Sequence, residues 1–370
     1  MEAIKMKLNS RIATALLLMG LAIIGVNIKA QDVSYSQTYE APLYLSPAFT
    51  GLTNGLRVGL NYRNQWPGVG SVFQNYAITV DNFFEQFSSG LGLMWQCDNL
   101  GKGLIVGNNV SLLYAYEFSI NKSINVRPGI SFRLGQRKID RGKMVTFTDI
   151  TADGKFVGGG SSVDIERTKN NHIDAGAGVM IYNDDFWGGI AFDHMMQPDV
   201  SFTDAKDILK LKLTAYAGYR WTYEPSYRGS EPKTVTLALN YKHQYSFNQI
   251  EIGAFWYYSP IELGVSYRGL FFNVSGELNN RDALIPSLGN NISAFRLGYS
   301  YDMTISDLSS FGNGAHEISL IYRIIPSNVK KRSYKMKPVP CSEPIMGYSY
   351  SGHGKKSHGH NQKRKGVKRN

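Results

Sequence analysis

The chain has 370 residues, with 38 Gly, 23 Tyr, an aromatic share of 12% and a formal net charge of +11. Its two cysteines, Cys97 and Cys341, lie too far apart in an exported-looking chain of this length to form a disulfide scaffold. After the N-terminus no stretch approaches the roughly 18 apolar residues of a spanning helix, so any membrane crossing falls to strands.

Residues 1–30 read as a secretory signal: Lys5, Lys7 and Arg11 are followed by an uncharged apolar run from Ile12 to Val26, and Ala30 offers a cleavage site before Gln31. No Cys follows the run, so no lipid anchor is indicated. Residues 31–55 form an extended, Pro-bounded periplasmic lead-in, with Pro42 and Pro47 as its punctuation. The first strand alternates cleanly, with Leu56, Val58, Leu60 and Tyr62 on one face and Arg57, Gly59, Asn61 and Arg63 on the other. A tight aromatic turn, Gln65-Trp66-Pro67-Gly68, closes it.

The same period recurs down the chain. Phe73 to Phe84 and Leu91 to Trp95 are strands, and Cys97 to Gly103 reads as a turn. Val110, Leu112, Tyr114, Tyr116 and Phe118 then alternate, as do Ile124 to Leu134 after Asn121-Lys122. Lys138 to Asn171 breaks the pattern and reads as a long external loop. Ile173 to Tyr182 and Phe186 to His194 follow, then a second long loop from Met195 to Lys210 with a short helix expected at Asp204 to Leu209. Leu211 to Trp221, Val235 to Tyr241, Ile250 to Tyr258 and Ile261 to Arg268 are further strands. Between Gly269 and Gly289 a strand at Ala283 to Leu288 is weakened by Pro286. Phe295 to Tyr301 and Ile318 to Tyr322 complete the set.

About fourteen strands, with short turns alternating with long loops, make a transmembrane antiparallel β-barrel over residues 56–324. A soluble β-sandwich is the alternative. An even strand number puts both termini on one side, the periplasm. If the apolar faces meet lipid, the lumen carries Arg57, Arg63, Arg127, Arg133, Arg220, Arg268, Arg296 and Arg323 against Asp81, Glu117, Asp174, Asp193, Glu251, Glu262, Asp302 and Glu317. A balanced set of this kind fits a lumen braced by ion pairs better than an ion-selective pore, which favours one sign. Trp66 fits an interfacial anchor.

Nothing points to catalysis. The sequence lacks a nucleophile elbow, a phosphate-binding Gly-rich loop before a helix, HExxH and paired CxxC. Neither a cofactor nor a metal is expected.

Residues 325–370 carry 12 Lys and Arg and one Glu, a net of +11 equal to that of the whole chain. Without apolar periodicity this stretch reads as a disordered basic tail. Its clusters Lys330, Lys331, Arg332, then Lys355, Lys356, then Lys363, Arg364, Lys365 are candidates for docking an acidic periplasmic partner or peptidoglycan; nucleic acid is not expected in that compartment.

Three stretches carry a resemblance. PLYLSPAFTG (Pro42 to Gly51) followed by YRNQWPG (Tyr62 to Gly68), LGVSYR (Leu263 to Arg268), and LGYSYD with GAHEISL (Leu297 to Asp302, Gly314 to Leu320) resemble the PorP/SprF family of type IX secretion outer-membrane proteins. The matching positions include Pro42, Pro47, Tyr62, Arg63, Gln65, Trp66, Pro67, Gly68, Tyr299, Tyr301, His316 and Glu317. The resemblance implies a non-enzymatic barrel in the outer membrane of a Gram-negative bacterium. It would belong to the type IX secretion and gliding motility machinery and bind periplasmic motor-ring or lipoprotein subunits, or secreted surface adhesins. The alternative is a FadL-like or porin-like passive transporter, which reconstituted flux would reveal.

Overall fold

The computed structural model describes residues 32, 34–53, 55–68, 73–121, 123–144, 165–225, 231–269, 281–305 and 314–324. The basic tail clusters and Cys341 lie outside this set. Contacts divide the chain into Met1–Ser34 and Tyr35–Asn370, and the sheet and its interior belong to the second unit.

The strands are β1 (Leu56–Gln65), β2 (Phe73–Phe84), β3 (Ser89–Leu100), β4 (Ile105–Tyr116), β5 (Phe118–Ser119), β6 (Asn125–Ile139), β7 (Lys169–Tyr182), β8 (Phe186–Asp193), β9 (Lys212–Glu224), β10 (Lys233–Gln244), β11 (Phe247–Tyr258), β12 (Ile261–Gly269), β13 (Arg281–Ile292), β14 (Phe295–Thr304) and β15 (Ala315–Ile324). Sequence neighbours pair antiparallel. β1 then pairs with β15 from Leu56↔Ile324 to Gln65↔Ala315, which closes the sheet. β5 continues β4 past Glu117 along the same edge of β6, so the wall is a closed 14-strand barrel. Closure satisfies every strand edge internally, which is the condition for a sheet to sit in lipid.

The burial pattern is that of a soluble protein turned inside out. On β4, Val110, Leu112, Tyr114 and Tyr116 are exposed on the outer face, while Ser111, Leu113 and Ala115 between them are buried. The same alternation holds on β14, where Phe295, Leu297 and Tyr299 point out and Arg296, Ser300 and Asp302 are buried. Among the described residues no helix is long and apolar enough to cross a membrane; the strands do that.

Several local expectations need correction. Residues 31–55 were expected to be extended, but Pro42–Leu45 is a turn of α-helix (α1) and Pro47–Phe49 a 3-10 turn. Each starts on a proline, whose fixed φ suits a first helical position and whose missing N–H is not needed there. Ser46 caps the second, its Oγ accepting from the Ala48 N–H at 3.2 Å. Cys97 is not in a turn. β3 runs on to Leu100, and the reversal falls at Gly101 to Leu104, where Gly101 and Gly103 take positive φ. The helix expected at Asp204–Leu209 is absent. Asp199 bridges Ile208 instead, and the Asp199 carboxylate accepts from the N–H groups of Ser201 (3.0 Å) and Asp207 (3.1 Å), which holds its pKa below the ordinary value. Pro286 sits inside β13 after all. The ladder to β14 steps from Leu284↔Met303 to Ser287↔Ser300, and the missing donor falls in that gap.

Residues Tyr35 to Thr53 occupy the lumen. Tyr39, Leu43, Leu45, Ala48, Phe49 and Leu52 form one buried cluster with Met94, Leu113, Met180, Tyr182, Trp187, Tyr216 and Ala238 from the wall. At two places this plug touches the wall backbone to backbone. A Cβ added at Gly90 would overlap the Thr50 carbonyl, and one at Gly129 would lie 2.5 Å from the Ala48 nitrogen. Gly90→Val and Gly129→Val should therefore unseat the plug at an overpacking cost of about 1–3 kcal/mol each. We expect both variants to remain heat-modifiable barrels on electrophoresis while residues 35–53 become cleavable by added protease. Plug protection equal to that of the unmodified chain would contradict this seating.

Candidate functional site

The site worth building is the lumen, because the arginines and carboxylates of the wall converge there on the plug. Burying an ion costs several kcal/mol unless it is paired and hydrogen-bonded. The barrel meets that condition by placing opposite charges on neighbouring strands. Arg63 and Glu317 are register partners across the β1–β15 seam, and Arg63 bonds Glu317 at 3.2 Å and Asp302 of β14 at 2.7 Å. Arg268 joins the same group, 2.9 Å from both Asp302 and Glu251.

Into this knot runs the start of the plug. The Ser36 N–H donates to Glu317 at 2.7 Å and the Gln37 N–H to its other oxygen at 2.9 Å. Ser36 Oγ donates to Asp302 at 2.8 Å and accepts from Arg63 and Arg268 at 2.7 and 2.6 Å. Gln37 completes the contact by accepting from Ser319 Oγ at 2.6 Å and donating to the Glu317 carbonyl at 2.9 Å. Beside it, burial together with the nearby Asp98 and Glu317 charges pushes the Tyr35 phenol well above its ordinary pKa, so it stays neutral.

Further along, the plug supplies acceptors to arginines that the wall alone leaves partly coordinated. Arg296 bridges Glu262 of β12 at 2.7 Å and Glu40 of the plug at 2.5 Å. Arg57, 3.7 Å from Asp81, donates to the Glu40 carbonyl at 2.6 Å. Arg127, paired with Glu117 at 2.7 Å, donates to the carbonyls of Ala48 at 3.1 Å and Thr50. Asp81 in turn accepts from the Gly51 N–H at 2.8 Å.

On the opposite wall Arg133 reaches Asp193 at 3.0 Å and Asp174 at 3.6 Å. Arg220 is half-buried toward the short-turn end, donating to the Asp184 carbonyl at 3.5 Å, and Arg323 is buried opposite Arg57 in the β1–β15 register. All eight wall carboxylates named from the sequence thus take part in ion pairs.

The family-motif positions divide in two. Pro42 and Pro47 start the plug's turns, while Arg63 and Glu317 grip Ser36. Tyr62, Tyr299, Tyr301 and His316 sit on the outer face: Tyr62 lies on Tyr76 with ring centroids 5.0 Å apart, and His316 Nδ1 is 2.9 Å from the Tyr299 hydroxyl. Gln65 ends β1. Trp66 has a positive φ of 56°, donates its N–H to the Gly314 carbonyl at 2.8 Å and stands edge-on to Phe73, with Pro67 and Gly68 exposed beyond it.

Sequence reasoning missed Glu40, Ser36 and Gln37, which lie in a stretch with no period to mark a face. It also missed Lys212, 3.2 Å from Asp193, and His194, whose Nδ1 is 2.5 Å from Asp174. Both lie at the loop ends of strands read from the sequence, and the luminal set of arginines and carboxylates did not take them up.

Among the described residues, cavities of about 20 Å³ lie between plug and wall by Glu40, Arg296 and Ser287, and by Tyr44, Arg133 and Lys212. Each has room for about one water. Among the described residues the lumen's chemistry is that of anchoring, ion pairs and hydrogen bonds between wall and plug. Removing one partner of a buried pair leaves its mate uncompensated at a cost of about 3–5 kcal/mol. Glu317→Ala, which strips both Arg63 and the Ser36–Gln37 amides, should lower the thermal midpoint of the detergent-solubilised barrel more than Glu224→Ala. Glu224 is an exposed acid paired with Lys233, and such pairs contribute about 0–1 kcal/mol. Equal shifts would show that the knot does not carry stability.

Comparison with solved structures returns outer-membrane barrels at low identity. The toluene transporter TbuX of Ralstonia pickettii is 10% identical, with a TM-score of 0.47 and coverage of 77% of this chain and 94% of that one. A Pseudomonas aeruginosa FadL homologue is 11% identical, with a TM-score of 0.38 and coverage of 75% and 91%. KdgM porin is 10% identical, with a TM-score of 0.33 and coverage of 72% and 99%. No curated protein sequence matches. The profile of the type IX secretion system membrane protein family PorP/SprF matches residues 27–322. The chain is a member of the PorP/SprF family of type IX secretion system membrane proteins.

Proposed function

We propose that this outer-membrane barrel is a non-conducting docking component of the type IX secretion and gliding machinery, binding periplasmic motor-ring or lipoprotein subunits or a secreted adhesin. The observation that supports a docking role over passive transport is the plug. It hydrogen-bonds or packs against β1, β2, β3, β4, β6, β7, β8, β9, β10, β12, β14 and β15. A transporter needs a path, and these contacts reach most of the way round the wall. Family membership supports the choice of machinery. In this reading both termini are periplasmic and residues 138–171 face outward, since β1 begins and β15 ends at the end of the barrel with the short turns Asn183 to Asp185 and Ser259-Pro260.

The reading has two measurable consequences. Purified protein in planar bilayers should show no conductance above baseline, and a chain lacking residues 35–53, if it inserts, should conduct. Steady substrate flux through the intact chain would favour the passive-transporter alternative.

The tail, residues 325–370, is proposed as the docking segment. Its net +11 would attract an acidic surface, and that attraction weakens with salt as the Debye length falls to about 8 Å at physiological ionic strength. Truncation after Arg323 should leave a heat-modifiable barrel that co-purifies with fewer secretion subunits, and retention by the full chain should fall as salt rises. If the truncated barrel keeps every partner at the same salt sensitivity, docking lies on the periplasmic turns instead.

A further inference from the structure

Outside the lumen, four neighbouring strands, β3, β4, β6 and β7, align their outward side chains in rows, and on two of them, β6 and β7, the chemistry changes in step. One row is Trp95, Val110, Leu134 and Ile173. The next toward the long-loop end is Cys97, Asn108, Gln136 and Asn171, and the one after is Asn99, Val106, Lys138 and Lys169. On β6 and β7 the wall therefore passes from apolar (Leu134, Ile173) to amide (Gln136, Asn171) to cationic (Lys138, Lys169) within four residues, roughly 13 Å along a strand at about 3.3 Å per residue. On β7 the apolar part runs from Ile181 through Val179, Ala177 and Ala175 to Ile173, a span that fits the roughly 9–11 residues with which a tilted strand crosses the apolar band. The amide row thus sits at the hydrocarbon edge and the lysines at headgroup level.

Lys138 and Lys169 are direct register partners across β6–β7, both exposed, and neither has a carboxylate partner among the described residues. Like charges placed opposite each other on a sheet are destabilising unless something neutralises them. Asp140, the acid nearest Lys138 in sequence, is engaged with the Gly142 N–H at 3.0 Å and with Lys143 at 3.8 Å, and Glu166, the acid nearest Lys169, is engaged without pairing to it. The same corner gathers more cation: Lys143 Nζ donates to the Lys102 carbonyl at 3.0 Å, which brings the 3-10 turn Arg141–Lys143 onto the β3–β4 reversal. Below the lysines, Gln136 donates to Asn171 at 2.8 Å, leaving the Asn171 amide N–H2 and the Gln136 carbonyl oxygen facing the same level.

We propose that this corner binds the headgroup of a phosphorylated glycolipid of the surrounding leaflet. Lys138 and Lys169 would hold a phosphate between them, and the Gln136–Asn171 amides would hydrogen-bond sugar hydroxyls at the membrane edge. The amide row distinguishes this occupant from a simple anionic phospholipid, which needs only the charges. The proposal rests on the outer-membrane reading and not on the orientation or partners argued above, because lipid retention is read on the isolated barrel.

The test is native mass spectrometry of the full chain in detergent, titrated separately with a bis-phosphorylated glucosamine glycolipid, its dephosphorylated form, and phosphatidylglycerol. The unmodified chain should retain the phosphorylated glycolipid in preference to the other two. Each of Lys138→Gln and Lys169→Gln should weaken retention about fivefold, from roughly 1 kcal/mol per basic residue at a lipid surface. Gln136→Ala with Asn171→Ala should erase the preference over phosphatidylglycerol. Both pairs of changes are on the exposed wall, and heat-modifiability checks that the barrel survives them. Retention unchanged by the lysine substitutions, or equal retention of phosphatidylglycerol by the unmodified chain, would overturn the proposal.

Discussion

The buried guanidinium groups are the constraint on which the rest of this structure depends. A wall whose outer face meets hydrocarbon must turn its polar side chains inward, and here they include arginines that are as little as 1% exposed, among them Arg57, Arg127 and Arg296. Each has up to five N–H donors and no way to shed its charge. One carboxylate per arginine does not satisfy that geometry. The plug supplies the remainder: the Glu40 carboxylate for Arg296, the Glu40 carbonyl for Arg57, and the Ala48 and Thr50 carbonyls for Arg127. The dependence runs both ways. The Ser36, Gln37 and Gly51 amides would be unsatisfied without Glu317 and Asp81, and a buried amide without an acceptor is costly.

This mutual satisfaction explains the small residues on the inner face. Gly90 and Gly129 allow the plug backbone to approach the wall backbone, where any Cβ would intervene. The apolar half of the plug is held differently. Phe49 tilts against Tyr216 with centroids 5.1 Å apart, and Tyr39 stands edge-on to Trp187 at 5.7 Å. The lumen therefore has a polar pole near Ser36, built on β1, β12, β14 and β15, and an apolar pole near Phe49, built on β4, β7, β8 and β9.

Much of this was legible in the primary structure because a barrel strand has a two-residue period that lipid enforces on one face. The alternation of Val110 to Phe118, or of Phe295 to Tyr301, marks strand, face and lumen at once, and the arginines and carboxylates between the apolar positions follow from it. Errors came where that period was silent. Pro286 argued against a strand because a proline lacks a donor, yet the ladder opens at that step. Cys97 looked like part of a turn because polar residues follow it, although the strand continues past the membrane edge.

Composition and periodicity were enough to mark the strands, their apolar outer face and a charged inner face, since each depends on residues close together in the chain. Which charge meets which was beyond their reach. Arg63 and Glu317 are 254 residues apart, Arg296 and Glu40 256, and they meet because closing the sheet lays β15 against β1 and the plug beside both. The fate of the lead-in was equally hidden. Its two prolines, a serine cap and a single glutamate carry no alternating face, and they become a folded plug only where a ring of arginines needs acceptors.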